Sequence, residues 1–268
     1  MRCAIVGDPA GHSLSPAIHR AGYQAAGLDW TYEAITVPAA SFGDFVAACR
    51  HSTDWAGLSV TAPHKQALLE LGEPDAVARL VGGGNTIVFA SEPKVYNTDV
   101  PGFVRAWRRR GLTQLFSAVI IGNGATARSL LVALAGLSVK SVTVLARDPQ
   151  RAGVLRTLGN ALNVALEIQP LGASIRETDL LANTVPAAAT SDHAAEWAAR
   201  SAVLFDAIYD PWPTPLGEAA APEQPVITGL ELLAGQAVDQ FHLLTGAQLS
   251  YELALSAARA ELVARRAT

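Results

Sequence analysis

Lysine is scarce in this chain, and so are cysteine and methionine. Three of the 20 basic residues are lysines, at positions 65, 94 and 140, and arginine supplies the rest. The two cysteines, Cys3 and Cys49, lie far apart and form no CxxC pair, so we expect neither a disulfide framework nor a zinc site. No apolar run reaches membrane-spanning length, and the N-terminus enters a predicted strand without a signal peptide. We therefore expect a cytoplasmic protein with no membrane partner.

The excess of positive charge that marks nucleic-acid binding is also missing. The formal net charge is −4, whereas such binding would need a basic, clustered surface. The one basic run, Arg108-Arg109-Arg110, falls at the end of a helix predicted to begin near Pro101, where cations complement the negative helix terminus. Half of the 268 residues are hydrophobic, which suffices for a large core in one or two domains. No nucleic-acid partner is expected.

Short β-rich runs alternate with helical stretches, which indicates an α/β fold with mainly parallel sheets. One series of strands runs from CAIVG (3–7) to KVYNT (94–98), and a second starts at AVIIG (118–122). Two alanine- and leucine-rich helices, at roughly 231–245 and 250–265, close the chain. Earlier helices are predicted to begin near Pro16, Ser41, Pro63, Asp75, Ala125 and Pro149. We predict one domain at 1–99 plus 230–268, a second at 100–229, and a ligand site in the cleft between them.

The run AVIIGNGATARSLLVAL places a glycine-rich turn between a predicted strand and a predicted helix. Gly122 suits the tight turn, and Gly124 lets backbone amides approach a pyrophosphate at the helix N-terminus. Ala127 permits close packing of the helix on the strand. Because a second strand follows at βαβ distance, the motif predicts a dinucleotide site. The alternative is a glycine turn with no ligand.

The next predicted strand ends in LAR-DPQR, which bears on the choice between NAD and NADP. Arg147 and Arg151 have the spacing of a phosphate clamp, and an arginine at this strand end accommodates the 2′-phosphate of NADP. Asp148 could instead bind the ribose of NAD. Before Pro149, however, it is more simply a helix N-cap. The sequence favours NADP.

Polar residues collect at the predicted strand ends of the first domain. Ser15 before Pro16 is a good helix N-cap, which leaves His12 and Ser13 without a structural reason, and two hydroxyls beside a helix N-terminus suit a ligand carboxylate. Later strand ends hold Thr61 with Lys65, Asn85-Thr86 and Asn97-Thr98-Asp99. Taken alone, LSVTAPHK is read as a solvated lysine at a helix start, and NTD as ordinary turn chemistry. Together, these groups suit a small polyhydroxylated substrate.

The ordered set GDPAGHSLSP, SVTAPHK, GGGNT, NTDVPGF, GNGATA, DAIYDPWPTPL and GLELLAGQAVDQF resembles the shikimate dehydrogenase family over almost the whole chain. That family reduces 3-dehydroshikimate to shikimate with NADPH in aromatic amino-acid (chorismate) biosynthesis. The resemblance implies an α/β fold of two domains, a mainly parallel substrate domain completed by the C-terminal helices and a Rossmann-like NADP-binding domain. It also implies a small-molecule substrate, no metal, and a monomer or homodimer.

The resemblance also assigns roles to individual residues. Lys65 and Asp99 would form the catalytic pair, and Ser13 and Ser15 would hold the substrate carboxylate. Thr61, Asn85, Asp99 and Gln236 would contact the substrate hydroxyls, and Tyr209 would lie near both the substrate and the nicotinamide. The implied NADP-binding residues are Gly122, Asn123, Gly124, Ala125, Thr126, Ala127, Arg147, Arg151, Ala207 and Gly229.

The chain departs from the family pattern without losing a proposed catalytic group. Ser59 and Arg20 stand where many members carry asparagine, and Leu232 stands where methionine is usual. Ala146 replaces a frequent asparagine, and NTVP (183–186) replaces an Asn-x-Thr-x-x-Gly pattern. Two alternatives stay open: an NAD-using quinate/shikimate dehydrogenase, which resembles the same motifs, and a non-catalytic NADP-binding sensor, which would not need the lysine–aspartate pair.

Overall fold

In the computed structural model, which describes residues 1–113 and 115–267, the chain forms two compact units. One unit comprises residues 1–102 and the chain from Leu233 onward, and the other is Phe103–Leu232. The predicted domain boundaries, after 99 and after 229, each precede this division by three residues. Within the described ranges, no helix combines the length and apolar character needed to cross a membrane.

Strands and helices alternate along the chain. The strands are β1 (Arg2–Gly7), β2 (Thr31–Thr36), β3 (Trp55–Val60), β4 (Glu73–Pro74), β5 (Thr86–Val88), β6 (Lys94–Tyr96), β7 (Ser117–Ile121), β8 (Ser141–Ala146), β9 (Ala165–Pro170), β10 (Thr178–Asn183), β11 (Ser201–Asp206) and β12 (Val226–Thr228). The α-helices are α1 (Ser15–Ala26), α2 (Phe42–His51), α3 (Ala76–Val81), α4 (Asp99–Arg109), α5 (Ala125–Gly136), α6 (Gly153–Ala161), α7 (Ala194–Ala199), α8 (Pro215–Glu218), α9 (Gly229–Thr245) and α10 (Tyr251–Arg266).

The first unit is built on a mixed sheet of strand order β2-β1-β3-β5-β6-β4. β1 runs parallel to both β2 and β3, whereas β5 runs antiparallel to β3 and β6. Val6, Leu58 and Ile87 are buried on these strands and share a core with Phe42 of α2. Because β1 and β3 are parallel, their carboxyl ends meet at one edge of the sheet. The segments that carry Ser13 and Lys65 leave the sheet from that edge.

The second unit has a parallel sheet of strand order β12-β11-β10-β7-β8-β9. The apolar runs of β7 and β8 are almost wholly buried, as expected for strands covered on both faces. The strand order reverses between β7 and β10, the position at which open α/β sheets bind ligands beyond their carboxyl ends. The glycine turn at 122–124 follows β7 and so lies at this position. The two-domain α/β prediction is confirmed.

The predicted helix start at Pro63 is wrong. The residues after Pro63 form a turn, followed by a 3₁₀ segment at Ala67–Glu70. The carbonyl of Lys65 accepts the N–H of Gly84 at 2.8 Å. This carbonyl therefore bonds to the segment just before β5 and not to a residue of a following helical turn. The lysine therefore lies in a turn instead of on a helix.

Two predicted helix caps also differ from the structure. Ser15 is the first residue of α1, and its N–H donates to Ser13 Oγ at 3.2 Å. Ser13 thus has a structural role that the sequence did not suggest. Asp148 accepts the N–H groups of Gln150 and Arg151 at 3.0 and 3.3 Å. It closes a turn there, and α6 begins only at Gly153.

Candidate active site

A lysine–aspartate ion pair lies in the polar cluster of the first unit. Lys65 Nζ is 2.6 Å from Asp99 Oδ2, and the side chains are only 14% and 10% exposed. The turn after β3 carries Lys65, and α4 begins with Asp99. Because water screens a partly buried pair weakly, the two charges strongly constrain each other's position. The pair places an ammonium, which can donate a proton, beside a fixed carboxylate.

Asn85 orients the second oxygen of that carboxylate. Its Nδ2 donates to Asp99 Oδ1 at 3.0 Å and to Thr98 Oγ1 at 2.9 Å. Its Oδ1 accepts the N–H of Thr98 at 2.9 Å, and Asn97 Oδ1 accepts the N–H of Asp99 at 3.1 Å. Since each oxygen of Asp99 has a partner from the protein, the carboxylate has a single orientation, with Oδ2 toward Lys65.

Gln236 of α9 joins this network from the C-terminal part of the unit. Its Oε1 accepts a hydrogen bond from Thr98 Oγ1 at 3.0 Å and lies 3.5 Å from Asn85 Nδ2. Thr61 follows β3, where its N–H donates to the carbonyl of Val6 at 2.8 Å. The structure thus joins Lys65, Asn85, Asp99 and Gln236 in one hydrogen-bonded network, and it places Thr61 at the start of the turn that carries the lysine.

Ser13 lies in the loop between β1 and α1, and Ser15 begins α1. The helix α10 holds this loop. Ser13 is half-buried and Ser15 is buried. The Arg265 guanidinium donates to the carbonyls of His12 and Ser13 at 2.9 and 3.0 Å, and it also pairs with Glu261 on α10. Sequence reasoning missed Arg265 because only the fold shows that α10 returns to the N-terminal loop.

His64 fastens the turn that carries Lys65, and sequence reasoning missed it as well. The buried ring stacks on Phe42 at a centroid distance of 4.2 Å. Its Nε2 donates to the carbonyl of Val37 at 2.7 Å. Nothing in the spacing of a histidine beside a lysine distinguishes such a tether from a solvated side chain.

The glycine turn of the second unit has the geometry that a pyrophosphate needs. Gly122 has φ +109°, and a side chain there would overlap Thr184 and Val185. Gly124 is the N-cap of α5, and a Cβ there would meet no atom within 4 Å. The first N–H groups of a helix have no helical partner and attract anions. Together with the buried Ala127, and with Asn123, Ala125 and Thr126 between these residues, the turn fits a dinucleotide.

A pocket of about 470 Å³ adjoins this turn. Arg147 and Arg151 both line it. Asp148 also lines it, and its Oδ2 lies 3.2 Å from Arg151 Nε. Both partners of this ion pair are largely exposed, so it holds Arg151 only weakly. The two guanidiniums leave a net positive charge in the pocket. The other lining residues are Gly122, Asn123, Leu145, Leu171, Val185, Pro186 and Ala189.

The ends of β11 and β12 bring Ala207 and Gly229 together. A side chain at Gly229 would overlap the carbonyl of Ala207 and lie 3.2 Å from the Tyr209 ring. The buried carboxyl of Asp206 holds the segment after β11, because it accepts hydrogen bonds from Asn183 Nδ2 at 3.0 Å and Thr214 Oγ1 at 2.6 Å. Burial raises the pKa of Asp206. Asp206 thus supports the segment that carries Tyr209, a role that sequence reasoning did not assign to it.

A glycine turn on a parallel sheet, an arginine-lined pocket beside it and a lysine–aspartate pair define a nicotinamide-dependent oxidoreductase. The chain matches the family model described as shikimate dehydrogenase substrate binding domain over residues 5–87. It is 33% identical over 261 residues to the shikimate dehydrogenase (NADP+) of Oleidesulfovibrio alaskensis, covering 92% of this chain and 90% of that protein. It is 32% identical over 271 residues to that of Natronomonas pharaonis, covering 96% and 98%. The chain belongs to the shikimate dehydrogenase family.

Solved structures agree with this assignment. The shikimate dehydrogenase of Mycobacterium tuberculosis superposes with a TM-score of 0.86 at 36% identity, covering 97% of this chain and 99% of that one. A shikimate 5-dehydrogenase of Thermus thermophilus, solved in complex with NADP(H) and shikimate, gives 0.82 at 29% identity with the same coverage. The likeness extends over both units of the chain.

Proposed function

We propose that this protein is an NADP-dependent shikimate dehydrogenase that reversibly reduces 3-dehydroshikimate to shikimate in aromatic amino-acid (chorismate) biosynthesis. The single observation that carries the proposal is the Lys65–Asp99 pair, 2.6 Å apart and little exposed, in a chain of this family. A non-catalytic sensor would not need this pair for proton transfer. The relative solved with NADP(H) and shikimate supports the choice of both ligands.

When bound, NADPH supplies the hydride. The turn from Gly122 to Ala127 would hold its pyrophosphate at the N-terminus of α5. Arg147 and Arg151 would hold the 2′-phosphate, because both guanidiniums line the pocket beside that turn. Ala207, Tyr209 and Gly229 would contact the nicotinamide end. A side chain at Gly229 would overlap the Ala207 carbonyl and crowd the Tyr209 ring, so glycine keeps these three residues close together.

Lys65 acts as the general acid in this proposal. Reduction of a ketone leaves negative charge on its oxygen, and an ammonium within hydrogen-bonding reach stabilises that charge and then donates the proton. In the oxidation direction, neutral Lys65 takes the proton from the alcohol. Asp99 holds the lysine through Oδ2 and is itself held by Asn85, so the nitrogen has a defined position throughout.

The remaining polar residues of the first unit bind the substrate in this proposal. Ser13 and Ser15 hold the carboxylate beside the N-terminus of α1. Thr61, Asn85, Asp99 and Gln236 contact the hydroxyls. Their side chains carry both donors and acceptors, and each hydroxyl of the substrate needs one of each.

Turnover of shikimate or quinate, each with NADP or NAD, tests the proposal and its alternatives. We expect shikimate with NADP to give the highest kcat/KM. Preference for NAD, with quinate accepted, would identify the quinate/shikimate dehydrogenase alternative. Binding of NADP with no turnover in any combination would identify the sensor. A cytoplasmic location and a monomeric or homodimeric state stay predictions, which fractionation and light scattering can test.

A further inference from the structure

A second glutamine of α9, Gln240, contacts Asn85 and has no part in the chemistry above. Its Nε2 donates to the carbonyl of Asn85 at 3.1 Å and to Thr86 Oγ1 at 2.8 Å. Gln236, four residues earlier, lies 3.5 Å from Asn85 Nδ2. Residues four apart share one face of a helix, so α9 reaches Asn85 from two successive turns. Gln240 is only 2% exposed, so protein surrounds its amide.

The direction of each hydrogen bond around Asn85 follows from one backbone donor. The N–H of Thr98 can only donate, so the Asn85 atom that it contacts at 2.9 Å is the amide oxygen Oδ1. Thr86 Oγ1 lies 3.1 Å from the same oxygen and donates its one hydrogen to it. Thr86 can then only accept from Gln240. The other end of the Asn85 amide, Nδ2, faces Asp99 Oδ1 at 3.0 Å.

His19 binds the oxygen of the Gln240 amide. The ring Nε2 lies 3.3 Å from Gln240 Oε1, and burial lowers the pKa of His19 to about 3, so the ring is uncharged at neutral pH. Because Oε1 can only accept, Nε2 carries the ring hydrogen. A reversed amide would turn Oε1 toward the carbonyl oxygen of Asn85. The Gln240 amide therefore has one orientation, with its two hydrogens directed at Asn85 and Thr86.

We propose that Gln240 is a positioning residue for the Lys65–Asp99 pair. It holds the main chain at Asn85 and the neighbouring Thr86 hydroxyl. The Asn85 side chain binds Asp99 Oδ1, and Asp99 Oδ2 binds Lys65. This inference rests on the proposed function, in which Lys65 transfers the proton. Gln240 touches neither substrate nor cofactor in this account, and it acts through Asn85.

Loss of the Gln240 amide would affect position more than folding. The carbonyl of Asn85 would keep the N–H of Val60, at 2.8 Å, and the Thr86 hydroxyl would keep Asn85 Oδ1. Neither group would be left without a partner, which is the case that costs most stability. The lost contacts are those that tie α9 to the start of β5. Asn85 would gain freedom of movement, and the orientation of the Asp99 carboxylate would become less defined.

Gln240→Met keeps an unbranched side chain and removes both donors. His19→Phe is the matched control, because it breaks the same His19–Gln240 hydrogen bond but leaves both amide hydrogens on Asn85 and Thr86. With shikimate and NADP, we expect Gln240→Met to lower kcat about three- to ten-fold, the effect of roughly one hydrogen bond, with an unchanged KM for NADP. His19→Phe should keep kcat within about two-fold. Urea unfolding should show a lower midpoint for both variants.

The Lys65→Ala background shows whether Gln240 acts through the catalytic pair. Without the lysine amine its placement no longer matters, so Gln240→Met should change the residual kcat of Lys65→Ala less than about two-fold. A general loosening of the fold would instead lower kcat by the same factor in both backgrounds.

The double variant His19→Phe/Gln240→Met guards against misfolding. In Gln240→Met the His19 N–H is buried without its partner, whereas the double variant replaces both partners by apolar groups and avoids that cost. It should therefore unfold at a higher urea concentration than Gln240→Met and show the same three- to ten-fold loss of kcat.

Three results would overturn the positioning role and leave the proposed function intact. They are an equal kcat in Gln240→Met and His19→Phe, a kcat near that of the unmodified protein in the double variant, and an undiminished effect of Gln240→Met in the Lys65→Ala background. An unmodified protein that fails to oxidise shikimate with NADP would refute the proposed function, and the positioning role with it.

Discussion

At the scale of single residues, the proposed site depends on a lysine in a chain that otherwise prefers arginine. A guanidinium stays protonated at any relevant pH, whereas an ammonium can give up its proton when its surroundings favour that. Lys65 is held by Asp99 and carried by a turn tethered through His64. A proton donor must return to the same position in every cycle, and these contacts ensure that it does.

Replacing Lys65 with alanine should therefore reduce kcat for shikimate oxidation by about 10²- to 10⁴-fold, the usual contribution of a general acid or base. The KM for shikimate should change much less, because other groups hold the substrate. Lys65→Arg keeps the charge but not the transferable proton, so it should be nearly as slow. Steady-state kinetics measures both variants. A kcat near that of the unmodified protein in Lys65→Ala would remove the lysine from the mechanism.

The arginines of the cofactor pocket should set the preference for NADP. In the proposed clamp, Arg147→Ala would remove a charge-assisted contact to the 2′-phosphate, so the KM for NADP should rise by about 10- to 100-fold. The KM for NAD, which lacks that phosphate, should hardly move. Arg156→Ala, an exposed arginine on α6 that does not line the pocket, is the control. Equal losses with both cofactors would contradict the clamp.

Buried His19 should make the stability of the protein depend on pH. Its pKa is lowered to about 3 in the folded state and is about 6.5 when unfolded. Between pH 6.5 and 5, His19 therefore takes up a proton in the unfolded state but not in the folded state. The free energy of unfolding should fall by about 2 kcal/mol over this range because of His19 alone. Urea unfolding of the unmodified protein and of His19→Phe should show a pH slope that is smaller by about one proton in the variant. Equal slopes would refute the assignment.

At the scale of elements, regular strands and helices were predictable because their signals are local. The strand, glycine turn and helix from β7 to α5 follow from an apolar run, a glycine spacing and an alanine-rich stretch. The helix expected at Pro63 was not there, because the Lys65 carbonyl bonds to Gly84, a partner distant in sequence. Asp148 and Ser15 also differ from prediction. Asp148 accepts N–H groups of a turn before α6, and Ser15 begins α1 with its own N–H bonded to Ser13 Oγ. The sequence does not say which N–H group a side-chain oxygen binds.

The end of α10 supports the serine loop, and this contact can be tested on its own. Arg265→Ala removes two hydrogen bonds to the carbonyls of His12 and Ser13. We expect the KM for shikimate to rise about three- to ten-fold, while kcat and the KM for NADP stay nearly constant. Arg259→Ala, an exposed arginine on the same helix, should leave all three constants unchanged. A loss of NADP affinity in Arg265→Ala would point to a general defect in folding.

At the scale of the whole molecule, the proposed functions divide between the two units. The proposed substrate residues of the polar cluster, from Ser13 to Gln236, lie in the first unit. The glycine turn with its arginines lies in the second unit, as does Tyr209. The motifs and their order allowed the fold to be predicted, and they named the residues of the proposed site. The supporting residues could not be predicted in this way. Arg265 and His64 act through partners that lie far from them along the chain.

The measurement that tests the account most directly is the kcat/KM of the purified protein for shikimate with NADP, compared with NAD. The account predicts clear shikimate-dependent formation of NADPH, a ratio that favours NADP by about ten-fold or more through one charge-assisted contact, and a kcat lower by about 10²- to 10⁴-fold in Lys65→Ala. Tight binding of NADP without any shikimate-dependent reduction, or a ratio that favours NAD, would contradict it.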